Sequence, residues 1–193
     1  GTDFLNIKKM LYARPDLLHH ILKITAESVS QYLSFQIKAG ADAVMIFDSW
    51  GGALADNEYE PFSLNYMKVI INNLNIMGHE STPKILFTKG GGQWLDKQLK
   101  SGADALGLDW QTNIKQAKAI VQDQVTLQGN MDPSILLSDT KAIEKNVMSI
   151  LDDYGHGERH IFNLGHGITQ FTPPENVTCM LETLRSHSPQ YHL

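Results

Sequence analysis

The sequence has little of what would place it in a membrane, in an oxidising compartment or on nucleic acid. It contains one cysteine, Cys179, so no internal disulfide can form and we expect a reducing compartment, the cytoplasm. No apolar run approaches the roughly 20 residues that a membrane helix needs, and no signal peptide is visible. The net charge of −5 disfavours a broad attraction to nucleic acid or to anionic membranes. We therefore expect a globular protein with no nucleic-acid partner and no membrane partner.

Signals for a metal or a bound dinucleotide are also weak. Cys179 falls inside the last predicted helix, remote from the predicted strand ends, and the histidines are scattered over helices and loops. No Gly-x-Gly-x-x-Gly fingerprint follows the first predicted strand. We therefore expect no metal site and no dinucleotide cofactor.

What the sequence does contain is a repeated strand-and-loop design. Five short apolar runs predict buried strands, and each run ends in small, glycine-rich or polar residues. These strand-and-loop segments are 41–52, 84–92, 102–110, 125–130 and 160–167. Helical periodicity separates them, with predicted helix starts at Pro15, Pro61, Asp139 and a capping box at Thr172. Strands that alternate with helices predict a parallel sheet.

An open doubly wound sheet and a closed barrel both satisfy this pattern, and two features favour the barrel. Every predicted strand ends in polar residues, as expected where catalytic loops gather on one face, and the dinucleotide fingerprint is missing. The predicted fold is therefore a TIM (β/α)8 barrel, which typically needs about 250 residues and eight strands. We expect residues 1–193 to be the carboxyl-terminal part of one such domain, carrying about the last five βα units. We expect such a segment to be unstable alone, because it has unpaired strand edges.

The best candidate site residues stand at strand ends. His166 lies between two glycines, where it could bind a ligand or transfer a proton, or simply hydrogen-bond its own turn. Ser49 could donate to a substrate carboxylate or be a turn residue, and no Gly-x-Ser-x-Gly elbow marks it as a nucleophile. Phe47 could wall an apolar ligand or pack in the core.

Three charged residues near the same ends are open to two interpretations. Asp48 and Asp109 could form a pair of carboxylates for acid–base chemistry, or could accept loop amides and tie strand ends together. We favour the second interpretation for Asp109. Lys89 begins a Lys-Gly-Gly-Gly loop without the residue order of a Walker motif, and we interpret this loop as a flexible rim.

Several of these segments together resemble one known family, uroporphyrinogen decarboxylase. The segments are 10–15 (Met-Leu-Tyr-Ala-Arg-Pro), 47–52 (Phe-Asp-Ser-Trp-Gly-Gly), 107–110 (Gly-Leu-Asp-Trp), 127–133 (Leu-Gln-Gly-Asn-Met-Asp-Pro) and 163–167 (Asn-Leu-Gly-His-Gly). The resemblance runs in order through nearly the whole chain and corresponds to the carboxyl-terminal part of the family.

The resemblance implies a TIM barrel that uses no cofactor or metal, is cytosolic and forms a homodimer. It implies removal of CO2 from the four acetate side chains of uroporphyrinogen III, which gives coproporphyrinogen III in haem biosynthesis. By position, Ser49 matches the hydroxyl residue that contacts substrate, His166 the active-site histidine near a substrate carboxylate, and Phe47 an aromatic of the cleft. The family's central aspartate, its arginines and its active-site tyrosine lie upstream of this segment, so we expect the segment to be inactive alone.

Two alternatives remain open at this point. A zinc-dependent methyltransferase of corrinoid and coenzyme M chemistry has the same barrel, with a His-x-Cys pair and a further cysteine at strand ends. Here the matching positions are Thr88-Lys89-Gly90 and Gly165-His166, which offer no thiolate and so disfavour zinc. The other alternative is a ligand-binding or regulatory module without catalysis.

Overall fold

Five parallel strands form one sheet in the computed structural model, which describes residues 3–192. The strands are β1 (Val44–Asp48), β2 (Lys84–Thr88), β3 (Ala105–Gly107), β4 (Thr126–Met131) and β5 (His160–Leu164). Their spatial order is the same as their order along the chain. Strands that are neighbours in sequence are therefore neighbours in space, and each of the four strand pairs is parallel.

Helices cover one side of this sheet. They are α1 (Leu5–Ala13), α2 (Pro15–Lys38), α3 (Asp56–Tyr59), α4 (Asn65–Ile76), α5 (Leu95–Gln98), α6 (Ile114–Val121), α7 (Thr140–Tyr154) and α8 (Pro174–His187). Val44 and Ile46 of β1 face the helices and are buried, as are Leu86 of β2 and Leu106 of β3. The main core therefore lies between the helices and the outer face of the sheet.

The other face of the sheet is concave and far less covered. Phe47 and Ile161 point to this face from the two outermost strands, and their exposed fractions are 65% and 43%. Five successive βα units with sequential strand order are five-eighths of a (β/α)8 barrel. The predicted α/β class and the TIM-barrel architecture are confirmed. Within the described residues, β1 and β5 each pair with a single strand.

A buried polar network fixes the carboxyl end of β2. The Tyr59 hydroxyl lies 2.9 Å from Thr88 Oγ1 and accepts a hydrogen bond of 3.0 Å from Gln98 Nε2. The Tyr59 ring also stacks on Trp94 with centroids 3.9 Å apart. Burial raises the pKa of Tyr59 to about 12, so the phenol stays protonated and can hold both bonds. The loop that leaves β2 therefore starts from a firmly placed residue.

Polar contacts at the amino ends of the strands stabilise the fold and lie away from the predicted site. Lys84 is buried, and its ammonium donates to the carbonyls of His79, Glu80 and Thr82 at 2.9, 3.2 and 2.9 Å. The Lys84 N–H donates to the Asp104 carboxylate at 2.8 Å. These bonds tie the entry of β2 to the entry of β3, at the end of the sheet opposite the predicted site.

Two helix starts differ from the sequence prediction. Pro61 does not begin a helix, because it lies in a π-helical turn, Glu60–Leu64, which joins α3 to α4. The wider turn accommodates a residue that has no N–H to donate. Thr172 does not cap α8, because the helix begins at Pro174 and its N-cap is Pro173. The predicted Asp139 cap is confirmed, since its carboxylate accepts the Ala142 N–H at 2.9 Å.

No helix within residues 3–192 combines the length and the apolar character needed to cross a membrane.

Candidate active site

A cavity of about 390 Å³ lies on the concave face of the sheet, at the carboxyl ends of the strands. It is lined by residues of all five strands and by the loop after β5. The lining residues are Met45, Phe47, Ser49, Phe87, Gly107, Leu108, Gln128, Asn163, Leu164, Gly165, His166, Gly167 and Ile168. Ser49, Phe47 and His166, which the sequence predicts as site residues, therefore line one cavity.

The strand period explains which side chains reach this cavity. In β1, Val44 and Ile46 turn to the helices, so Met45 and Phe47 turn to the concave face. Gly107 of β3 leaves room for the Phe87 and Met45 side chains to pack over it. A Cβ atom there would lie 3.1 Å from the Phe87 ring and 3.2 Å from Met45 Cε.

His166 is held at the mouth of the cavity by two aromatic rings. Its imidazole lies edge-on to Phe87, with centroids 6.3 Å apart, and edge-on to Trp110, with centroids 6.1 Å apart. Within residues 3–192, neither ring nitrogen is hydrogen-bonded to a side chain or to the backbone. Both nitrogens are therefore open to a ligand in the cavity.

Ser49 and Phe47 approach the same cavity from the exit of β1. The Ser49 hydroxyl is half-buried and has no hydrogen-bond partner among the described residues. The Phe47 ring is exposed to the cavity and lies 5.9 Å from the Phe87 ring in an edge-on arrangement. The arrangement offers one hydroxyl donor and one imidazole beside an aromatic wall.

Gly165 sets the position of the loop that carries His166. Its N–H donates to the Met131 carbonyl at 2.7 Å, and its backbone runs against the exit of β3. A Cβ atom at residue 165 would lie 2.2 Å from Trp110 N and 2.8 Å from the Asp109 carbonyl carbon. Only glycine permits this approach, because both obstacles are backbone atoms.

Asp109 ties three loops together, as we favoured from the sequence. It is buried, and its carboxylate accepts hydrogen bonds from Gly90 N–H, from Gln111 N–H and from Thr112 Oγ1. The Asn130 amide donates to the Asp109 carbonyl at 2.8 Å from the neighbouring strand. These bonds hold the exits of β2, β3 and β4 in one arrangement below Trp110.

Asp48 is also used inside the protein. Its carboxylate accepts a hydrogen bond from the Ser63 hydroxyl and is bonded by the backbone of Trp50 and Gly51. Burial raises the pKa of Asp48, and these hydrogen bonds oppose the rise only in part. Asp48 and Asp109 bond to different partners, so an acid–base pair of these two residues is not what the structure supports.

The loop that begins with Lys89 makes several backbone contacts, which argue against the predicted flexible rim. The Lys89 N–H donates to the Asp48 carbonyl at 3.2 Å, and the Lys89 carbonyl accepts the Gly52 N–H at 2.9 Å. Gly90 N–H is held by the Asp109 carboxylate. A glycine-rich sequence suggested freedom, but here glycine serves the close approach of two backbones.

A larger apolar groove of about 530 Å³ lies between α1, α2 and β1. It shares Met45 and Phe47 with the cavity but contains neither Ser49 nor His166. Its lining is mostly apolar, and two of its polar groups, Asp48 and Ser63, are bonded to each other. We therefore place the candidate site in the smaller cavity.

No group of three or more His, Cys, Asp or Glu side chains in the described part of the chain is arranged to hold a metal ion. One pair of histidines, His156 and His160, has the His-x-x-x-His spacing of some metal sites. However, the His160 ring stacks on Tyr154 at 4.3 Å, and its Nε2 lies 2.8 Å from the Gly129 carbonyl oxygen. Burial lowers the pKa of His160, which keeps the ring neutral in this setting.

Sequence reasoning missed Gln128, Asn163 and Phe87 as residues of the cavity wall. Gln128 is a polar residue inside an apolar strand, and its Nε2 lies 3.6 Å from Met45 Sδ. The alternation of side chains along a strand could have predicted Gln128. Leu127 packs in the main core, so the residue after it must face the concave side of the sheet.

These features define a protein of the α/β-barrel class with a cavity at the carboxyl ends of its strands. The family model described as uroporphyrinogen decarboxylase (URO-D) matches residues 1–187. The chain belongs to the uroporphyrinogen decarboxylase family.

Curated relatives agree with this assignment. A uroporphyrinogen decarboxylase of Methylobacillus flagellatus is 58% identical over 194 residues, which cover 100% of this chain and 55% of that protein. One of Nitrosomonas europaea is 54% identical over 193 residues, which cover 100% of this chain and 54% of that protein. The chain thus spans about half the length of the curated relatives it matches.

A solved structure of a methyltransferase from Methanosarcina mazei has the same fold. The TM-score is 0.80 at 21% sequence identity, and the match covers 93% of this chain and 52% of that chain. At this identity the likeness establishes the fold alone.

Proposed function

We propose that this chain is the carboxyl-terminal part of a uroporphyrinogen decarboxylase, a carboxy-lyase that converts uroporphyrinogen III to coproporphyrinogen III. The observation that carries the proposal is that Ser49 and His166 line one cavity at the strand ends of a chain in this family. The match of four strand-end segments to the family supports the same conclusion.

The chemistry suits a site built from hydrogen-bond donors and apolar walls. A pyrrole ring is electron-rich, so it can take a proton on carbon and become the electron sink for decarboxylation. The bond between the acetate methylene and the carboxyl carbon then breaks, CO2 leaves, and the electron pair moves toward the cationic ring. Protonation of the resulting methylene carbon and loss of the ring proton give a methyl group. Each turnover therefore replaces one CO2 by one proton.

In this proposal the chain's own residues bind and orient. Ser49 donates a hydrogen bond to a substrate carboxylate, and His166 binds a second carboxylate oxygen or a neighbouring acid. Phe47 and Phe87 form an apolar wall that excludes water from one side of the pyrrole. We assign the proton donor for the ring to no residue of this chain, and we propose that the upstream part of the barrel supplies it, as the family resemblance implies.

We extend the proposal to the assembly. Residues 1–193 form one barrel domain together with the upstream strands, and the complete protein is a cytoplasmic homodimer, as the family resemblance implies. No nucleic-acid partner is proposed, because the net charge is −5. Sedimentation of the full-length protein would test the dimer directly.

The test is an assay of the full-length protein with uroporphyrinogen III under reducing conditions. We expect release of CO2 and accumulation of coproporphyrinogen, and we expect the His166→Ala variant to lose most of this turnover while its unfolding midpoint stays unchanged. His20→Ala is a suitable control, because His20 is exposed on α2 and is not among the residues that line the cavity. Absence of CO2 release by the wild type would overturn the proposed function. Wild-type kinetics in His166→Ala would remove that residue from the site.

A further inference from the structure

Lys89 places a cation at the rim of the candidate site. It follows β2 directly, and its Nζ lies 5.4 Å from the centroid of the Trp50 ring and 5.2 Å from that of the Trp110 ring. The Trp110 ring is also the edge-on neighbour of His166. The ammonium group therefore lies outside the cavity lining but one aromatic ring away from it.

The side chain of Lys89 is not needed to position its own loop. The loop is fixed by main-chain bonds from Lys89 N–H to Asp48 O and from Gly52 N–H to Lys89 O. A substitution of this side chain should therefore leave the backbone in place. This separates Lys89 from Lys84, whose ammonium holds three carbonyls of a turn.

The charge of Lys89 has no anionic partner in the described part of the protein. The three ion pairs found there join Arg14 to Asp16, Lys68 to Glu60 and Lys97 to Asp56. Lys89 is half-buried, with two indole rings near its ammonium group. A cation that has lost part of its hydration to aromatic rings is prepared to bind an anion more strongly than a fully hydrated one.

We propose that Lys89 binds a propionate carboxylate of the tetrapyrrole substrate, an inference that rests on the proposed function. The macrocycle carries carboxylates around its whole perimeter, so a ring with one acetate in the cavity extends others to the rim. Lys89 does not bind the acetate that reacts. A cation there would stabilise the carboxylate charge in the ground state and oppose its departure as CO2. A propionate, in contrast, is kept through all the decarboxylations and can be held in every round.

The experiment is steady-state kinetics of full-length wild type, Lys89→Gln and Lys89→Arg. The readouts are kcat and KM for uroporphyrinogen and the inhibition constant of coproporphyrinogen, which keeps its propionates but has no acetates. We expect Lys89→Gln to raise KM and the inhibition constant by a similar factor, about tenfold, with kcat within about twofold of wild type. Lys89→Arg should restore most of the loss, and the KM of Lys89→Gln should respond less to added salt than that of wild type.

Lys115→Gln is the matched control, because Lys115 is exposed on α6 away from the cavity lining. A rise in KM without a rise in the inhibition constant would overturn the proposal, since it would indicate an acetate as the partner. Unchanged constants in an active Lys89→Gln variant, or a fall in its unfolding midpoint large enough to explain the loss, would also overturn it. A wild type that does not turn over uroporphyrinogen would refute the proposed function itself, and this inference with it.

Discussion

At the scale of single residues, the polar groups at the strand ends divide into two sets. The carboxylates of Asp109 and Asp48 accept hydrogen bonds from loop amides and hydroxyls of the protein. The Ser49 hydroxyl and the His166 ring face the cavity without a partner among residues 3–192. The first set builds the framework, and the second set is available to a ligand.

We expect the Ser49→Ala variant of the full-length protein to weaken substrate binding by about 1–3 kcal/mol, the cost of leaving a carboxylate without its hydrogen bond. The change should appear as a higher KM with little change in the unfolding midpoint, because Ser49 bonds to no other described side chain. Steady-state kinetics with uroporphyrinogen measures it. Ser81→Ala, an exposed serine near the amino end of β2, is the control. Equal effects of the two substitutions would argue against a substrate contact at Ser49.

The sequence could indicate which residues stand at strand ends but not which of them were already bonded. His166 and Ser49 were predictable because the residue types and the ends of the strands are both visible along the chain. The partners of Asp48 were not, because Ser63 comes from a different helical segment. The position of Lys89 between Trp50 and Trp110 was hidden for the same reason, since it depends on two other loops.

At the scale of elements, the exits of the strands are fixed against one another by backbone contacts. The exit of β5 runs against the exit of β3 at Gly165, and the exit of β1 bonds to the exit of β2 between Gly52 and Lys89. The cavity therefore has a wall whose shape depends on glycine at particular positions rather than on loop length.

Gly165→Ala should destabilise the full-length protein by about 1–3 kcal/mol, because the added methyl group meets backbone atoms that cannot turn aside. It should also raise KM, since the loop that carries His166 must move away from Trp110. Denaturant unfolding and kinetics together check both effects. Gly167→Ala is a matched control for stability two residues away, where a Cβ atom would meet nothing within 4 Å. Equal tolerance of both alanines would contradict the described packing.

The five strands were predictable because each is a short apolar run bounded by turn residues, and β2 and β5 are found where the pattern indicates. Helix starts were less predictable, because proline is compatible with more than one role. Pro15 begins α2 as expected, whereas Pro61 lies within a π-helical turn. Local sequence does not distinguish the two cases, since tertiary packing decides whether the chain is already helical before the proline.

At the scale of the whole molecule, the sheet is an arc rather than a closed barrel. Phe47 and Ile161 expose 65% and 43% of their surface on its concave face, at positions that a closed barrel would cover. Within the described residues β1 and β5 each have one unpaired edge. The partly buried Asp48 carboxyl adds a pH-dependent contribution to the stability of the protein.

Asp48 should make that stability depend on pH. Burial raises its pKa above the value of 3.8 in the unfolded chain, so the folded state binds the proton more tightly. The stabilising contribution is complete below the unfolded pKa and is lost as pH rises through the raised folded pKa. Asp48→Asn should therefore gain stability relative to wild type as pH increases, because the amide carries no charge. The loss of one acceptor oxygen for the Ser63 hydroxyl or the Trp50 and Gly51 N–H groups is a constant cost that does not vary with pH.

Denaturant midpoints of both proteins between about pH 4 and pH 7 measure this difference, and exposed Asp42→Asn serves as the control. A difference between wild type and Asp48→Asn that does not change with pH, or one that shrinks toward neutral pH, would show that the Asp48 carboxylate carries no burial cost.

Two of the three tryptophans report on different parts of the protein, Trp94 on the core and Trp50 on the rim. Trp94 is 1% exposed and stacks on the Tyr59 ring within the main core, whereas Trp50 is 62% exposed at the rim beside Lys89. A water-soluble quencher such as iodide should reach the rim indole and spare the core one. The emission that iodide does not quench then reports on unfolding, and the quenchable emission reports on ligand binding at the rim. A single fluorescence titration can therefore distinguish unfolding from binding.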